Sequence, residues 1–411
     1  MKGRGMKLLF VHERWGAFGG AETNLQSAAG ELRNRGHQLG ILHGPGTGQG
    51  EKEWSETFST RAALWPKGPV AVQNMLREFR PDLVYVHKMG DLAVLDSLLA
   101  SRVPLVRMVH DHDVYCMRSY KYDPFTRAIC TRPASPYCIF PCGACVARAR
   151  GRDFPFKWVS YAAKRKEIRL NQQFNCLIVA TGYMKGELLR NGFKKEKIKI
   201  HPPVPVNLSS SQGAAPETPS KTVRNRILYV GQIIRGKGVD VLLESLAQIR
   251  IPFECLILGE GNHRSFCERL SRRLGLQDRV HFLGFVSQNE LPSYFTEANL
   301  MVLSSVWPEP FGAAGLEGMR FGLPVVAFDA GGISEWLIDG ENGFLVPWMD
   351  RTTFATRVQQ LLMDKGIARQ MGQRGARLVS ERFDFSDYVT ALERTFEEVQ
   401  SEAGKRAGVS A

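Results

Sequence analysis

The chain has 411 residues, of which 44% are hydrophobic and 23% charged, and its formal net charge at pH 7 is +13. These values are typical of a water-soluble globular protein of two or three domains. No apolar run approaches the ~20 residues of a membrane-spanning helix, and no signal peptide is recognisable. We therefore expect a cytoplasmic location, at most peripheral at the inner face of the membrane. The positive charge favours anionic partners, but no nucleic-acid-binding motif accompanies it, so nucleic acid is not an expected partner.

Short apolar segments alternate with amphipathic ones through the first half of the chain. These segments are apolar on both faces, as the buried strands of a parallel sheet must be. This alternation predicts a doubly wound α/β domain, Rossmann-like, over residues 1–206. The predicted strands are 6–12, 38–43, 83–87, 103–110 and 176–180, and the first predicted helix is 21–34.

A cysteine-rich insertion interrupts this pattern at 116–145. Five of the eight cysteines lie in it, namely Cys116, Cys130, Cys138, Cys142 and Cys145. The last two have the C-x2-C spacing of a zinc knuckle, and thiolates also suit an iron–sulfur cluster. We predict a structural metal site here, with Cys116 as an additional ligand. The alternative is a set of reduced free thiols on a loop.

The segment 148–169 is strongly basic and also aromatic. It carries eight lysines and arginines, interleaved with Phe154, Phe156 and Trp158. Basic residues beside large aromatic side chains are typical of peripheral contact with an anionic membrane. The alternative is a solvated basic helix.

A segment rich in Ser, Pro, Gly and Ala at 207–222 reads as a linker. After it the strand–helix alternation restarts, which predicts a second Rossmann-like domain over 223–386 and a final helix, with a frayed tail, over 387–411. We expect that helix to pack on the first domain and the two domains to face each other across a cleft. The predicted elements are strands at 226–230, 254–258, 280–283, 300–304 and 324–328, and helices at 238–248, 265–274, 352–362 and 387–402.

The segment 308–319 follows a predicted strand, and ligands of parallel sheets bind outside the carboxyl ends of strands. Two prolines flank Glu309 and keep it out of a helix. The helix that begins next has Gly312, Ala313 and Ala314 in its first turn, where small residues let an anion reach free backbone N–H groups. A diphosphate fits there. Glu317, one turn further on, can accept hydrogen bonds from sugar hydroxyls.

The pattern E-P-F-G-x-x-x-L-E at 309–317 resembles the signature of the retaining glycosyltransferases of family 4. Members of that family have the GT-B fold and bind a nucleoside-diphosphate sugar in the second domain. The resemblance implies that Glu309 contacts the donor sugar and takes part in catalysis. It implies that Glu317 contacts the ribose and that Phe311 belongs to the donor site.

Two further segments resemble parts of the same donor site. The family pattern G-R-x-x-x-x-K-G corresponds to 231–238, where Lys237 matches but Gln232 replaces the usual arginine. We expect Arg235 to supply the missing charge, since a guanidinium can bind a phosphate with two hydrogen bonds. The turn at Gly284 resembles the place where backbone groups meet the nucleotide base.

In the first domain, the resemblance places Gly19 and Gly20 over the donor phosphates. Glycine also permits backbone conformations that other residues resist. His110 follows a predicted strand, and the resemblance implies that it reaches the donor sugar near the reacting carbon. Two alternatives remain for the His-Asp-His-Asp sequence at 110–113: a metal site, or structural histidines.

These observations predict a retaining glycosyltransferase that transfers sugar to a glycan or lipid-linked acceptor in polysaccharide, lipopolysaccharide or glycolipid biosynthesis. Lys237, Arg235 and the helix start at 312 supply positive charge and N–H dipoles, so we expect catalysis to need no divalent ion or other cofactor. Two alternatives are a nucleotide-sugar 2-epimerase of the same fold and a non-catalytic subunit that binds a sugar nucleotide. The absence of an evident acid/base carboxylate pair weighs against the epimerase.

Overall fold

The computed structural model describes residues 5–148, 156–206 and 225–409. The chain forms two compact units. Unit 1 contains residues 1–121, 131–205 and 386–411, and unit 2 contains residues 122–130 and 206–385. The predicted linker at 207–222 lies outside the described residues. Within the described ranges, no helix is both long and apolar enough to cross a membrane.

Unit 1 is built on a seven-stranded parallel sheet of order β3-β2-β1-β4-β5-β8-β9. Its strands are β1 (Lys7–His12), β2 (Gln38–His43), β3 (Thr60–Ala63), β4 (Leu83–Val86), β5 (Leu105–Val109), β8 (Cys176–Val179) and β9 (Ile198–Ile200). Strands β6 (Val146–Arg148) and β7 (Phe156–Trp158) form a separate antiparallel hairpin. The helices are α1 (Gly20–Asn34), α2 (Glu51–Thr57), α3 (Gly68–Phe79), α4 (Leu92–Ala100), α5 (Tyr161–Asn171), α6 (Gly182–Arg190) and α13 (Phe385–Val409).

The central strands β4 and β5 are buried along their whole length, which explains why they are apolar except for Arg107. Local capping sets where several helices begin. The Asp91 carboxylate accepts hydrogen bonds from the first backbone N–H groups of α4, and the Thr181 hydroxyl does the same for α6. Because the strands are parallel, their carboxyl ends lie at the same edge of the sheet. The loops that follow these strand ends carry the candidate site residues.

The final helix α13 belongs to unit 1. Glu393 accepts hydrogen bonds from Arg35 at 2.7 Å and pairs with His37 at 2.9 Å. The ring of Phe396 packs edge-on against Tyr85, with ring centroids 5.0 Å apart. Apolar packing and ion pairs together hold the end of the chain on the unit that contains its beginning.

Unit 2 contains a six-stranded parallel sheet of order β12-β11-β10-β13-β14-β15. Its strands are β10 (Arg226–Val230), β11 (Glu254–Leu258), β12 (Val280–Gly284), β13 (Leu300–Leu303), β14 (Val325–Phe328) and β15 (Gly343–Val346). The helices are α7 (Val239–Leu246), α8 (Arg264–Arg273), α9 (Leu291–Glu297), α10 (Ala313–Arg320), α11 (Arg351–Met363) and α12 (Lys365–Arg382). The predicted α/β architecture of doubly wound parallel sheets is confirmed.

The division of the chain differs from the predicted boundaries by one residue at Val206 and at Ser386, and by a whole segment within the first domain. All of 1–206 was predicted to belong to the first domain, but Tyr122–Cys130 belongs to unit 2. The reason is a set of polar contacts, because Arg127 forms an ion pair with Asp240 in α7. Composition and periodicity give no signal for such a contact, since it joins residues far apart in the chain.

Candidate active site

The side chain of Glu309 is buried in the loop that follows β13, with 3% of its surface exposed. Its Oε1 atom lies 2.6 Å from Lys237 Nζ, and Ser305 Oγ donates a hydrogen bond to the same oxygen. Burial by itself would raise the pKa of Glu309, but the Lys237 ammonium and the hydrogen bonds outweigh it and lower that pKa. The carboxylate is therefore ionised at neutral pH and retains lone pairs for further donors.

The loop 330–332 fixes the backbone of Glu309 on both sides. Glu309 N donates to Ala330 O at 3.0 Å, and Gly332 N donates to Glu309 O at 2.7 Å. Gly331 has φ +74°, and an added Cβ there would lie 2.4 Å from Glu309 O. Only glycine fits this position, so the glycine pair acts as a tight support beneath the glutamate.

Helix α10 begins a few residues after Glu309, and its capping residue Gly312 has φ +80° with no side-chain hydrogen bond to the first turn. The backbone N–H groups of the first turn, which includes Ala313 and Ala314, receive no capping side chain and carry the positive end of the helix dipole. Glu317 lies half-buried on the same helix. The start of α10 thus has the properties of an anion site, as the sequence pattern predicts.

Phe311 has a structural position. Its ring is buried and packs against Phe383, with centroids 5.7 Å apart, and its carbonyl accepts a 2.6 Å hydrogen bond from Trp336 Nε1. Burial explains why the segment needs an aromatic residue there. The donor contact expected for Phe311 stays a prediction, and its ring lies in the core.

The residues between β10 and α7 form a short 3-10 turn, Arg235–Lys237. The carbonyl of Gly236 accepts hydrogen bonds from Val306 N at 2.9 Å and Trp307 N at 3.0 Å. These bonds tie the turn to the end of β13 and bring Lys237 to Glu309. The guanidinium of Arg235 donates to the carbonyl of Pro124, so the structure shows it engaged with protein rather than extended.

The two remaining donor-site candidates in unit 2 occupy strand ends. Gln232 is exposed after β10, and its carbonyl accepts a hydrogen bond from Tyr229 Oη at 3.1 Å. Gly284 ends β12 with φ +80°, and its carbonyl accepts from Gly259 N at 2.7 Å. Both positions lie at the carboxyl edge of the sheet, where the sequence analysis put them.

In unit 1, histidines end four adjacent strands. They are His43 in β2, His12 in β1, His87 directly after β4 and His110 directly after β5; we call these four residues the histidine row. His87 Nδ1 and His110 Nε2 are 2.8 Å apart and share one hydrogen bond. Desolvation, together with neighbouring His12 and Lys88, lowers the pKa of His110 to about 3. His110 is therefore neutral at physiological pH.

The residues after His110 serve other purposes. His112 is fully buried and shares a 2.7 Å hydrogen bond with Tyr115 Oη. Asp111 pairs with Lys88 at 2.5 Å. Burial and the adjacent Asp111 carboxylate raise the pKa of Asp113 to about 8. The two histidines thus have separate environments, and the structure gives no support to a shared metal site at 110–113.

Gly19 and Gly20 were expected to adopt a backbone conformation that other residues resist, and this expectation is wrong. Gly19 has φ −166°, which is ordinary extended backbone, and an added Cβ on Gly20 would have no atom within 4 Å. Neither position requires glycine for its backbone conformation. The prediction that they lie over the donor stays a prediction, and the open space at Gly20 leaves room for a ligand.

The structure also does not support the zinc or iron–sulfur interpretation of 116–145. Within the described residues, no group of three or more His, Cys, Asp or Glu side chains is arranged to hold a metal ion. Cys130, Cys138 and the other cysteines of the insertion are half-buried. Arg118 instead holds the segment by donating to the carbonyls of Cys142 and Gly143 at 2.8 Å each. Burial raises the pKa of the Cys142 thiol, and Cys145 Sγ contacts Ile139 O at 3.5 Å.

Sequence reasoning missed two residues that the structure brings to these sites, His87 and Ser305. Both follow strands directly or within two residues, in the same position that singled out His110. Ligands of parallel sheets bind outside the carboxyl ends of strands. Applying this rule to every predicted strand, and not only to recognisable motifs, would have identified both residues.

Comparisons with known proteins agree with this geometry. The crystal structure of HepE from Anabaena in complex with UDP superposes with a TM-score of 0.71 at 22% identity, covering 96% of this chain and 100% of that one. The lipopolysaccharide-biosynthesis glycosyltransferase WaaG superposes with a TM-score of 0.67 at 17% identity, over 95% of this chain and 99% of that one. The fold is that of the GT-B glycosyltransferases.

Two family models match successive parts of the sequence. The model described as Glycosyltransferase Family 4 matches residues 18–204, and the model described as Glycosyl transferases group 1 matches residues 214–378. The chain belongs to glycosyltransferase family 4.

The similarity to curated relatives is confined to part of the chain. Alpha-D-kanosaminyltransferase of Streptomyces kanamyceticus is 34% identical over 163 residues, which are 39% of this chain and 42% of that protein. N-acetyl-alpha-D-glucosaminyl L-malate synthase of Bacillus anthracis is 30% identical over 175 residues, 42% of this chain and 45% of that protein. The chain thus spans less than half the length of these curated relatives.

Proposed function

We propose that the protein is a retaining glycosyltransferase that moves a sugar from a nucleoside-diphosphate sugar to a glycan or lipid-linked acceptor. The observation that carries the proposal is the 2.6 Å pair of Lys237 and Glu309 beside the uncapped start of α10. Cation, carboxylate and free N–H groups are the three features that a sugar diphosphate requires at one site.

In this reaction the bond between the anomeric carbon and the diphosphate oxygen breaks, and negative charge develops on that oxygen. Lys237 and the N–H groups of the first turn of α10 stabilise this charge, so no divalent ion is required. Glu309, held ionised by its neighbours, accepts hydrogen bonds from sugar hydroxyls and orients the ring. Retention of the anomeric configuration is supported by the family membership alone.

His110 contributes a neutral hydrogen bond rather than a charge, because desolvation lowers its pKa to about 3. Its Nε2 is engaged by His87, so the hydrogen bond between the two rings sets which tautomer His110 presents through Nδ1. A sugar hydroxyl can donate or accept, so either tautomer suits it.

Two measurements test the proposal in sequence. A thermal-shift screen over UDP-, GDP-, ADP- and dTDP-sugars identifies the donor, and UDP is the first nucleotide to test because the HepE structure contains it. Incubation of a labelled donor with candidate acceptors then gives a new glycoside for a transferase. An epimerised donor would identify the 2-epimerase, and binding with no product would identify a non-catalytic subunit.

The hairpin β6–β7 supports a peripheral membrane contact. Val146 and Trp158 are paired across it, and Trp158 is 83% exposed, while nearby Phe140 is 85% exposed. The adjoining segment 148–169 carries eight basic residues, which complement anionic lipid. Co-sedimentation with phosphatidylcholine vesicles, with and without phosphatidylglycerol, tests this. Trp158→Ala should lose binding, and Trp65→Ala, another exposed tryptophan of unit 1, should retain it.

A further inference from the structure

The segment Tyr122–Cys130 is a compact loop, although it lies in the cysteine-rich insertion. Asp123 N donates to Ala128 O at 2.8 Å, and Tyr122 and Ile129 form a β-bridge. The Asp123 carboxylate accepts hydrogen bonds from Phe125 N at 2.9 Å and from the following backbone N–H at 2.8 Å. These bonds close the loop on itself and give it a defined shape. We call it the docked loop.

The docked loop contacts α7 through an ion pair with two hydrogen bonds. Arg127 Nη1 lies 3.2 Å from Asp240 Oδ1, and Nη2 lies 2.5 Å from Oδ2. The two side chains are only 12% and 10% exposed. Burial would raise the pKa of Asp240, but the neighbouring His263 and Arg127 outweigh it and lower that pKa. Asp240 therefore carries a full negative charge, and Arg127 neutralises it.

Asp240 stands close to the predicted diphosphate site in the sequence, in the first turn of α7 and just after the turn Arg235–Lys237. The docked loop also reaches that turn, because the carbonyl of Pro124 accepts a hydrogen bond from Arg235. Tyr122 and Trp307 enclose Gly236 from two sides, at 3.4 and 3.3 Å from the position of an added Cβ. The docked loop therefore contacts this region in three ways: Arg127 pairs with Asp240 in α7, the Pro124 carbonyl accepts from Arg235, and Tyr122 packs on Gly236.

The backbone of the docked loop carries a sign of constraint at the ion-paired residue. Arg127 has φ +65°, a left-handed conformation that is unfavourable for an arginine. Such a conformation persists when contacts on both sides fix it. Here the contacts are the closed hydrogen bonds of the loop and the pair with Asp240.

We propose that Arg127 is a positioning residue for the donor diphosphate. It cancels the negative charge of Asp240, which lies in the first turn of α7 just after the turn Arg235–Lys237. This inference rests on the proposed function of that turn. Without the Arg127 guanidinium, the Asp240 carboxylate would repel an incoming diphosphate, because like charges raise each other's free energy. The nucleoside part of the donor would be unaffected.

The test measures the affinity of the full chain for UDP and for uridine by isothermal titration calorimetry. Arg127→Ala should weaken UDP binding roughly tenfold and leave uridine binding within about twofold. The double variant Arg127→Ala with Asp240→Asn should recover most of the UDP affinity, because it removes the charge that Arg127 cancels. A purely structural role would not produce this rescue, since the double variant lacks the ion pair as well.

Arg226→Ala is the matched control, because Arg226 forms a partly buried ion pair with Glu254 in the same unit, at the opposite edge of the sheet. It should leave UDP affinity unchanged. The proposal is overturned if Arg127→Ala binds UDP normally, if it loses UDP and uridine equally, or if Asp240→Asn fails to restore affinity. If the unmodified chain binds none of UDP, GDP, ADP or dTDP, the proposed function itself is wrong, and that outcome is distinct from the other three.

Discussion

The carboxyl edges of the two sheets carry sites of opposite electrostatic character. In unit 2, Lys237 and Glu309 form a 2.6 Å ion pair that keeps the carboxylate ionised despite burial. In unit 1, His87 and His110 share a 2.8 Å hydrogen bond, and desolvation keeps both imidazoles neutral. The same position in a parallel sheet thus provides charge in one unit and neutral hydrogen bonding in the other. The Lys237 ammonium suits a diphosphate, and the hydrogen-bonding groups of Glu309 and His110 suit sugar hydroxyls.

The largest effect is expected from removing the charge of Glu309. Glu309→Gln should lower the rate of transfer by roughly 10²–10³-fold, because an oriented acceptor for sugar hydroxyls is lost at the reacting centre. The amide is nearly the same size, so the fold should be retained. Product formation from the identified donor measures the effect, with thermal unfolding as a check on folding. Glu341→Gln, at an exposed turn of unit 2, is the matched control. Near-normal turnover of Glu309→Gln would remove Glu309 from the mechanism.

Lowering the pH should destabilise unit 1 before unit 2. The pKa of His12 is lowered to about 4 and that of His110 to about 3, both by burial first, and that of His87 lies well below 6.5. The unfolded chain therefore binds more protons than the folded chain once the pH falls below about 6.5. Asp113, with its pKa raised to about 8, offsets one of these three protons.

Burial also lowers the pKa of His43 and of His201 and raises that of Glu22. The histidine protons outnumber those of the two carboxyl groups, so the free energy of unfolding should fall by roughly 1.4 kcal/mol or more per pH unit near pH 5. The pKa of Glu309 is lowered, so the stability that its ionised form contributes is lost only when the pH falls below the ordinary pKa range of a carboxyl group. Urea unfolding at pH 7, 6 and 5 measures the slope, and hydrogen exchange locates it. Amides of β1, β4 and β5 should lose protection before those of β10 and β13. Equal protection in both sheets at pH 5 would contradict the assignment of neutral histidines, and His12→Asn should reduce the slope by about one proton.

A smaller effect is expected from Lys237, which acts on the phosphates alone. Lys237→Ala should weaken UDP binding roughly 10- to 100-fold, and uridine binding much less, because only charge near the diphosphate is removed. Lys365→Ala is the control, since Lys365 belongs to the same unit and bonds Asn225 just before β10. Equal losses for UDP and uridine would mean that Lys237 acts through folding. Gln232→Arg should tighten UDP binding if Arg235, engaged with Pro124, only partly replaces the usual arginine.

The contrast between the two units also explains how far the sequence could be read. The residues around Glu309 form one continuous motif, and Lys237 stands in a second, so the donor site was recognisable from short segments. His87 and His110 come from separate strands, and only the sheet order β1-β4-β5 makes them neighbours. Arg127 and Asp240 are further apart still. Strand β3, with the sequence TRAA, was missed because it has little apolar pattern. Site residues that lie in one short motif can be predicted from sequence, whereas contacts between residues that only the strand order brings together cannot.

The smallest effect is expected from His87, which acts through His110. His87→Phe keeps a ring in the buried site but removes the 2.8 Å hydrogen bond. We expect kcat to fall about tenfold with little change in KM for the donor, because a loosely held His110 spends less time in the productive orientation. His87→Asn should retain more activity, since its side chain can still bond His110. The pH profile of the unmodified protein should show no inflection near pH 6.5 from His110, whose pKa is about 3. A normal kcat for His87→Phe, or equal losses in the two variants, would show that the hydrogen bond has no part in positioning His110.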